Sequence, residues 1–185
     1  DVSRRRKGEV AWQGAANGLL AVARLRPAEA RWRLAQFVGD RDWHLRQYAA
    51  RAAAILADTV TLRRLATDVD DNVAEAAIEG LARLTGHADD ALYLAALDRR
   101  GAQAVRAAAT ALKGSTRSDV APAAMRAFDR WVQRDNASAR DARVALLEAA
   151  GRPASEDHPP PVRATLPREA VALEDIAVPE QGPAI

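Results

Sequence analysis

One stretch of the chain, Asp42 to Leu84, repeats its own apolar pattern, and that restricts the fold more than any other feature. Apolar residues fall at Leu45, Ala49, Ala53 and Leu56, and again at Val73, Ala77, Leu81 and Leu84. The offsets are 4, 4 and 3 both times, which is helical spacing and not strand alternation. Leu45 to Val73 is a step of 28 residues, about one helical hairpin, with the register kept. A fixed step of that size predicts stacked helical repeats.

Composition fits such a stack. Aromatic residues make up only 4% of 185 residues, and alanine fills the apolar stripes instead. Small side chains let helix backbones approach closely, and each contact buries little area, so many thin layers must add up. Runs rich in Val, Ile and Thr are absent before residue 160, which predicts an all-helical folded part. The absence of cysteine excludes disulfides and thiolate metal sites. No apolar run approaches the 18 residues a membrane span needs. No signal peptide is visible, and a cytoplasmic setting is expected; the start at Asp1 rather than Met fits a processed product or an excised piece.

The residues at the helix starts carry a resemblance. Asp42, Leu45, Arg46 and Ala49 form one set, Asp70, Val73 and Ala77 a partial second (Ala74 stands where the Arg would), and Val105, Arg106 and Ala109 a third. The pattern resembles HEAT repeats of the short, phycobilisome-lyase-like (PBS lyase) type, over roughly residues 27–151. The resemblance implies a right-handed α-solenoid (HEAT-like/ARM superhelix) whose second-type helices line a concave face. Four to five hairpins are expected.

In chain order, residues 1–8 read as a basic, polar lead-in. Helices are expected over 9–25, 27–38, 42–56, 60–66, 73–84, 89–97, 103–112, 119–134 and 138–150, with Gly151 as the stop. Either Asp40 or Asp42 would cap the third helix. Gly14 and Gly18, four apart, predict a close helix contact. Trp32, Ala35, Phe37 and Val38 supply the apolar groups of the second helix. Two regions result: a repeat domain over 1–151, and an extended tail or linker over 152–185 that holds seven of the nine prolines. A Pro159–Pro161 run has no backbone donors for a helix. If ordered, this tail would lie along the helices through Leu166, Val171, Leu173 and Ile176, covering the terminal hairpin; a brief strand or turn is possible over 170–177. The tail is net −3, and the preceding 151 residues therefore about +5.

Nothing in the sequence assembles a catalytic site. His44, His87 and His158 are scattered, no phosphate-binding glycine loop occurs, and the Asp68, Asp70, Asp71 group lacks the later glycine and glutamate of a calcium loop. Those aspartates read as helix caps. No cofactor or metal is expected. Trp32 and Trp43 read as core filling, with an exposed aromatic on the solenoid face as the alternative. Arg46, Arg51, Arg106, Arg140 and Arg143 lie on second-type helices, interspersed with Glu75, Glu79, Asp141 and Glu148. The expected function is a non-catalytic protein-binding scaffold or adaptor, with Trp43, Arg46, Arg51, Glu75, Glu79 and Arg106 as partner-binding residues. The alternatives are a DNA- or RNA-binding repeat protein, which a row of Arg would suit, and an accessory domain of a larger enzyme such as a cyclophilin-type prolyl isomerase.

Overall fold

The computed structural model describes residues 2–134 and 136–157. Within them lie nine α-helices and no strand: α1 Val2–Leu25, α2 Pro27–Val38, α3 Trp43–Ile55, α4 Thr59–Leu65, α5 Asp71–Thr85, α6 Asp90–Ala96, α7 Ala102–Leu112, α8 Val120–Trp131 and α9 Ala137–Ala149. Short 3-10 turns occupy Gly86–Asp89 and Ala154–Glu156. Helix α1 starts at Val2, so the basic lead-in is helical from its second residue. Arg and Lys are good helix formers and no proline precedes Pro27, so nothing stops the helix there. The proposed tail anchors and the possible strand over 170–177 lie outside the described residues.

The odd helices pack in sequence, α1 on α3, α3 on α5, α5 on α7 and α7 on α9. The even helices lie beside them, α2 on α1 and α3, α4 on α3 and α5, α6 on α7, and α8 on α9. The result is a stack of helical hairpins in two layers. Alanine sets its spacing. Ala49, Ala50, Ala52 and Ala53 of α3, and Ala74 and Ala77 of α5, are fully buried. Gly80 marks a close approach of α5 to α3, since a Cβ there would stand 2.9 Å from the Cβ of Ala54. The close contact predicted at Gly14 and Gly18 is absent, with nothing within 4 Å of a Cβ built at either. Large side chains fill the later units, where Tyr93, Phe128 and Trp131 are buried.

In α2 the inward register is Ala30, Leu34 and Val38. Trp32, expected among the core groups, stands 71% exposed. It sits two residues from Ala30, about 200° around the helix. Ala35 is also exposed, and Phe37 half-buried.

Aspartates punctuate the stack. Asp42, Asp58 and Asp70 are N-caps whose carboxylates accept backbone N–H bonds from His44, Thr61 and Asn72. One turn earlier, Asp40 accepts from the amide of Asp42 at 2.8 Å, and Asp68 from that of Asp70 at 2.9 Å. An Asp-x-Asp pair, in which the first residue makes the turn and the second caps the helix, thus recurs at the 28-residue step. Helix α7 has no such cap of its own, because Gly101 occupies the position. Asp71 of the preceding unit supplies it, accepting from the amides of Gln103 at 2.8 Å and Ala104 at 3.2 Å.

Gly101 is what admits that carboxylate, since a Cβ there would fall 2.0 Å from it. Gly101→Ala is therefore expected to displace Asp71 from both amides and to lower stability by about 1–2 kcal/mol, the worth of an N-cap. Asp71→Ala should cost a similar amount. The double variant should cost little more than either single change. Urea denaturation of the three proteins checks this, and full additivity would separate the two residues.

Candidate functional site

Three helices of the odd row present a strip of side chains at helical spacing: Leu20 and Arg24 from α1, Gln47, Arg51 and Ile55 from α3, and Glu75, Glu79 and Arg83 from α5. The i, i+4 spacing puts each strip on one helix face. The repeat step carries it across, since Gln47 and Glu75, Arg51 and Glu79, and Ile55 and Arg83 are each 28 apart. Together they line a cleft of about 390 Å³. A second cleft, of about 400 Å³, continues between α5 and α7 and shares Glu79 and Arg83 with the first. Its α7 wall includes Arg106, Thr110 and Ala111, and Lys113, the residue after the helix, also lines it.

The charges at the junction are ordered. Arg106 reaches back to α5, where its guanidinium bonds Glu75 and lies 3.1 Å from Glu79. The hydrogen bond that Arg106 donates to the Glu75 carboxylate raises the Arg106 pKa. Two carboxylates therefore share one guanidinium. Arg24, Arg51 and Arg83 are in no ion pair among the described residues. Arg51 lies over the ring of Tyr48, 5.0 Å from its centroid, which orients the guanidinium by a cation–π contact and leaves its N–H groups open.

Four of the six expected residues, Arg51, Glu75, Glu79 and Arg106, thus meet on one face. The other two lie away from these clefts. Arg46 is largely buried and clamps two inter-helix turns, with two bonds to the Asp68 carboxylate at 2.8 and 2.9 Å and one to the Asp40 carbonyl at 2.9 Å. Trp43 packs partly buried against the core and stacks on His44 at 3.7 Å, while Trp12 stacks on the same imidazole at 4.3 Å. Arg143, expected in the Arg row, is only 1% exposed and is held by Asp157. Leu20, Arg24 and Arg83 were not singled out from the sequence. Arg83 follows Glu79 by one helical turn, which was the available signal. Leu20 and Arg24 precede the repeat pattern.

Asp68, Asp70 and Asp71 are each occupied by a clamp or a cap. No group of three or more His, Asp or Glu among the described residues could hold a metal ion. One serine, histidine and aspartate do meet. Asp90, 3% exposed, accepts from Ser115 Oγ and lies 3.1 Å from His87 Nδ1. Both partners bond the carboxylate, so the imidazole does not face the hydroxyl as an acyl-transfer triad requires. The trio ties the α5–α6 turn to the loop before α8.

Compared with known proteins, the chain matches no family model, no curated protein and no solved structure. No described helix is long and apolar enough to cross a membrane.

Proposed function

We propose that the protein is a non-catalytic scaffold of the HEAT-like, right-handed solenoid type, and that the α1–α3–α5–α7 face binds a protein partner or another domain of its own polypeptide. The supporting observation is the pair of contiguous clefts with open guanidiniums at Arg24, Arg51 and Arg83 around a partly neutralised Glu75–Arg106–Glu79 cluster. Mixed charge beside the apolar Leu20 and Ile55 suits the polar rim and apolar centre of a protein interface. It suits a duplex less well, because a phosphate backbone calls for an uninterrupted row of cations, and here the guanidiniums alternate with carboxylates and aliphatic groups.

A photoreactive amino acid at Ile55, in cells that make the protein, tests this. A control carries it at Val69, 94% exposed in the loop before α5. The expected result is a discrete protein adduct from Ile55 and not from Val69, unchanged by nuclease and at least five-fold weaker in Arg51→Glu/Arg83→Glu. Nuclease-sensitive adducts, or equal adducts from both positions, would overturn the assignment.

A further inference from the structure

We propose that the cleft between α1, α3 and α5 receives an acidic, apolar peptide, and that residues 169–180 of this same chain are its occupant. The proposal rests on the reading of this face as a protein-binding surface and names what the first cleft takes. Its walls ask for a specific chemistry. Arg24, Arg51 and Arg83 offer guanidinium N–H groups without ionic partners. Glu75 and Glu79 share Arg106, and the four arginines against two glutamates leave an excess of two positive charges. Leu20, Ile55 and Ala76 supply apolar surface between the charges. A ligand that satisfies all of this carries several carboxylates interleaved with aliphatic side chains.

Residues 169–180 have that composition. They hold Glu169, Glu174, Asp175 and Glu180 with no Lys or Arg, and between these Val171, Leu173, Ile176 and Val178. Guanidinium–carboxylate pairs are the strong form of such contacts, and the aliphatics match the apolar part of the cleft.

The chain can make the journey. Asp157 is fixed on α9 by two bonds to Arg143. Eleven residues, 158–168, separate it from Glu169. Extended, they span roughly 36 Å. The path from α9 past α7 to α5 crosses helix spacings of about 8–10 Å each, so the cleft lies roughly 20–30 Å away. A partner that uses the same cleft must then displace this segment, which makes the segment a competitor for the site.

The chain has no cysteine, so a nitroxide on Ala172→Cys in the full-length protein reports where the segment lies. Paramagnetic broadening of the Gln47, Arg51, Ile55 and Arg83 amides is expected, unchanged on ten-fold dilution. It should fall at least five-fold in Arg51→Glu/Arg83→Glu, whose exposed positions leave the core intact. Adding Glu174→Arg/Asp175→Arg to that variant should restore it, which a misfolded protein would not do. Broadening confined to α8 and α9, or none, would overturn the proposal. So would broadening that appears only between labelled and unlabelled molecules, which assigns the cleft to a second copy. Protein adducts from Ile55 that persist alongside any of these failures would leave the partner-binding reading standing by itself.

Discussion

Asp157→Ala is expected to lower stability by about 3–5 kcal/mol, more than most core truncations in this alanine-rich stack. Asp157 lies beyond the last α-helix, yet it holds the one arginine that the described fold buries. Arg143 Nε donates to one carboxylate oxygen at 2.6 Å, Nη2 donates to the other at 3.1 Å, and Nη1 donates to the Arg134 carbonyl at 2.6 Å. The exposures are 1% and 8%. Removing the carboxylate strands a buried guanidinium without its counter-charge, and breaking a buried pair from one side costs about that much. Arg143→Met with Asp157→Ala removes both charges and keeps most of the volume, so the double variant should recover much of the loss. Urea titration of the three proteins reads the effect. A loss under about 1 kcal/mol would mean that residues 152–157 swing away and water reaches the arginine. A chain cut after Gly151 should behave as Asp157→Ala does, so the folded unit extends energetically past the point where the helical pattern stops.

That boundary shows what the sequence carries and what it does not. Helices α3, α5 and α7 were legible because periodicity is a local property. So were the caps at Asp42 and Asp70, whose acceptors and donors lie within three residues. The cap on α7 was not, because its carboxylate comes from Asp71, 32 residues from the amide of Gln103. Arg143 was illegible for the same reason. It stands among Arg140, Asp141 and Glu148, which read as a solvated face, and its partner lies past the helix stop. Arg51, Glu75 and Glu79 could be found because i, i+4 spacing and the 28-residue step are both readable, and Arg106 because Val105 follows Val73 by a second step, of 32 residues. Arg46 shared the off-stripe position of Arg51 and was read the same way. Only the packing shows that its side faces the turns of two hairpins, where Asp40 and Asp68 wait. Off the apolar stripe means outside the core, and in a stack it can equally mean between repeats.

Arg46→Ala should separate these two meanings. It removes two charge-assisted bonds to Asp68 and those to the Asp40 and Arg41 carbonyls, at 2.9 and 3.2 Å. About 2–3 kcal/mol of stability should go with them, while the Ile55 photo-adduct formed per folded molecule stays the same. Arg51→Glu should do the reverse. The clamp also has a pH signature. Burial pushes the Asp68 carboxyl up, but the Arg46 guanidinium and the Asp70 amide outweigh it and hold the group below the usual carboxylate range. At Asp42 burial again pushes the carboxyl up, and the hydrogen bonds from His44 outweigh it and hold the group below the usual range. A depressed folded pKa stabilises above the unfolded value, near 4 for Asp, and that contribution is lost as pH falls through the folded value. The denaturation midpoint should therefore drop below about pH 4, and Arg46→Ala should flatten that drop, because without the guanidinium Asp68 is left to the opposing effects of burial and the Asp70 amide. An acid limb as steep in Arg46→Ala as in the parent would place the titrating groups elsewhere and return Arg46 to the binding face.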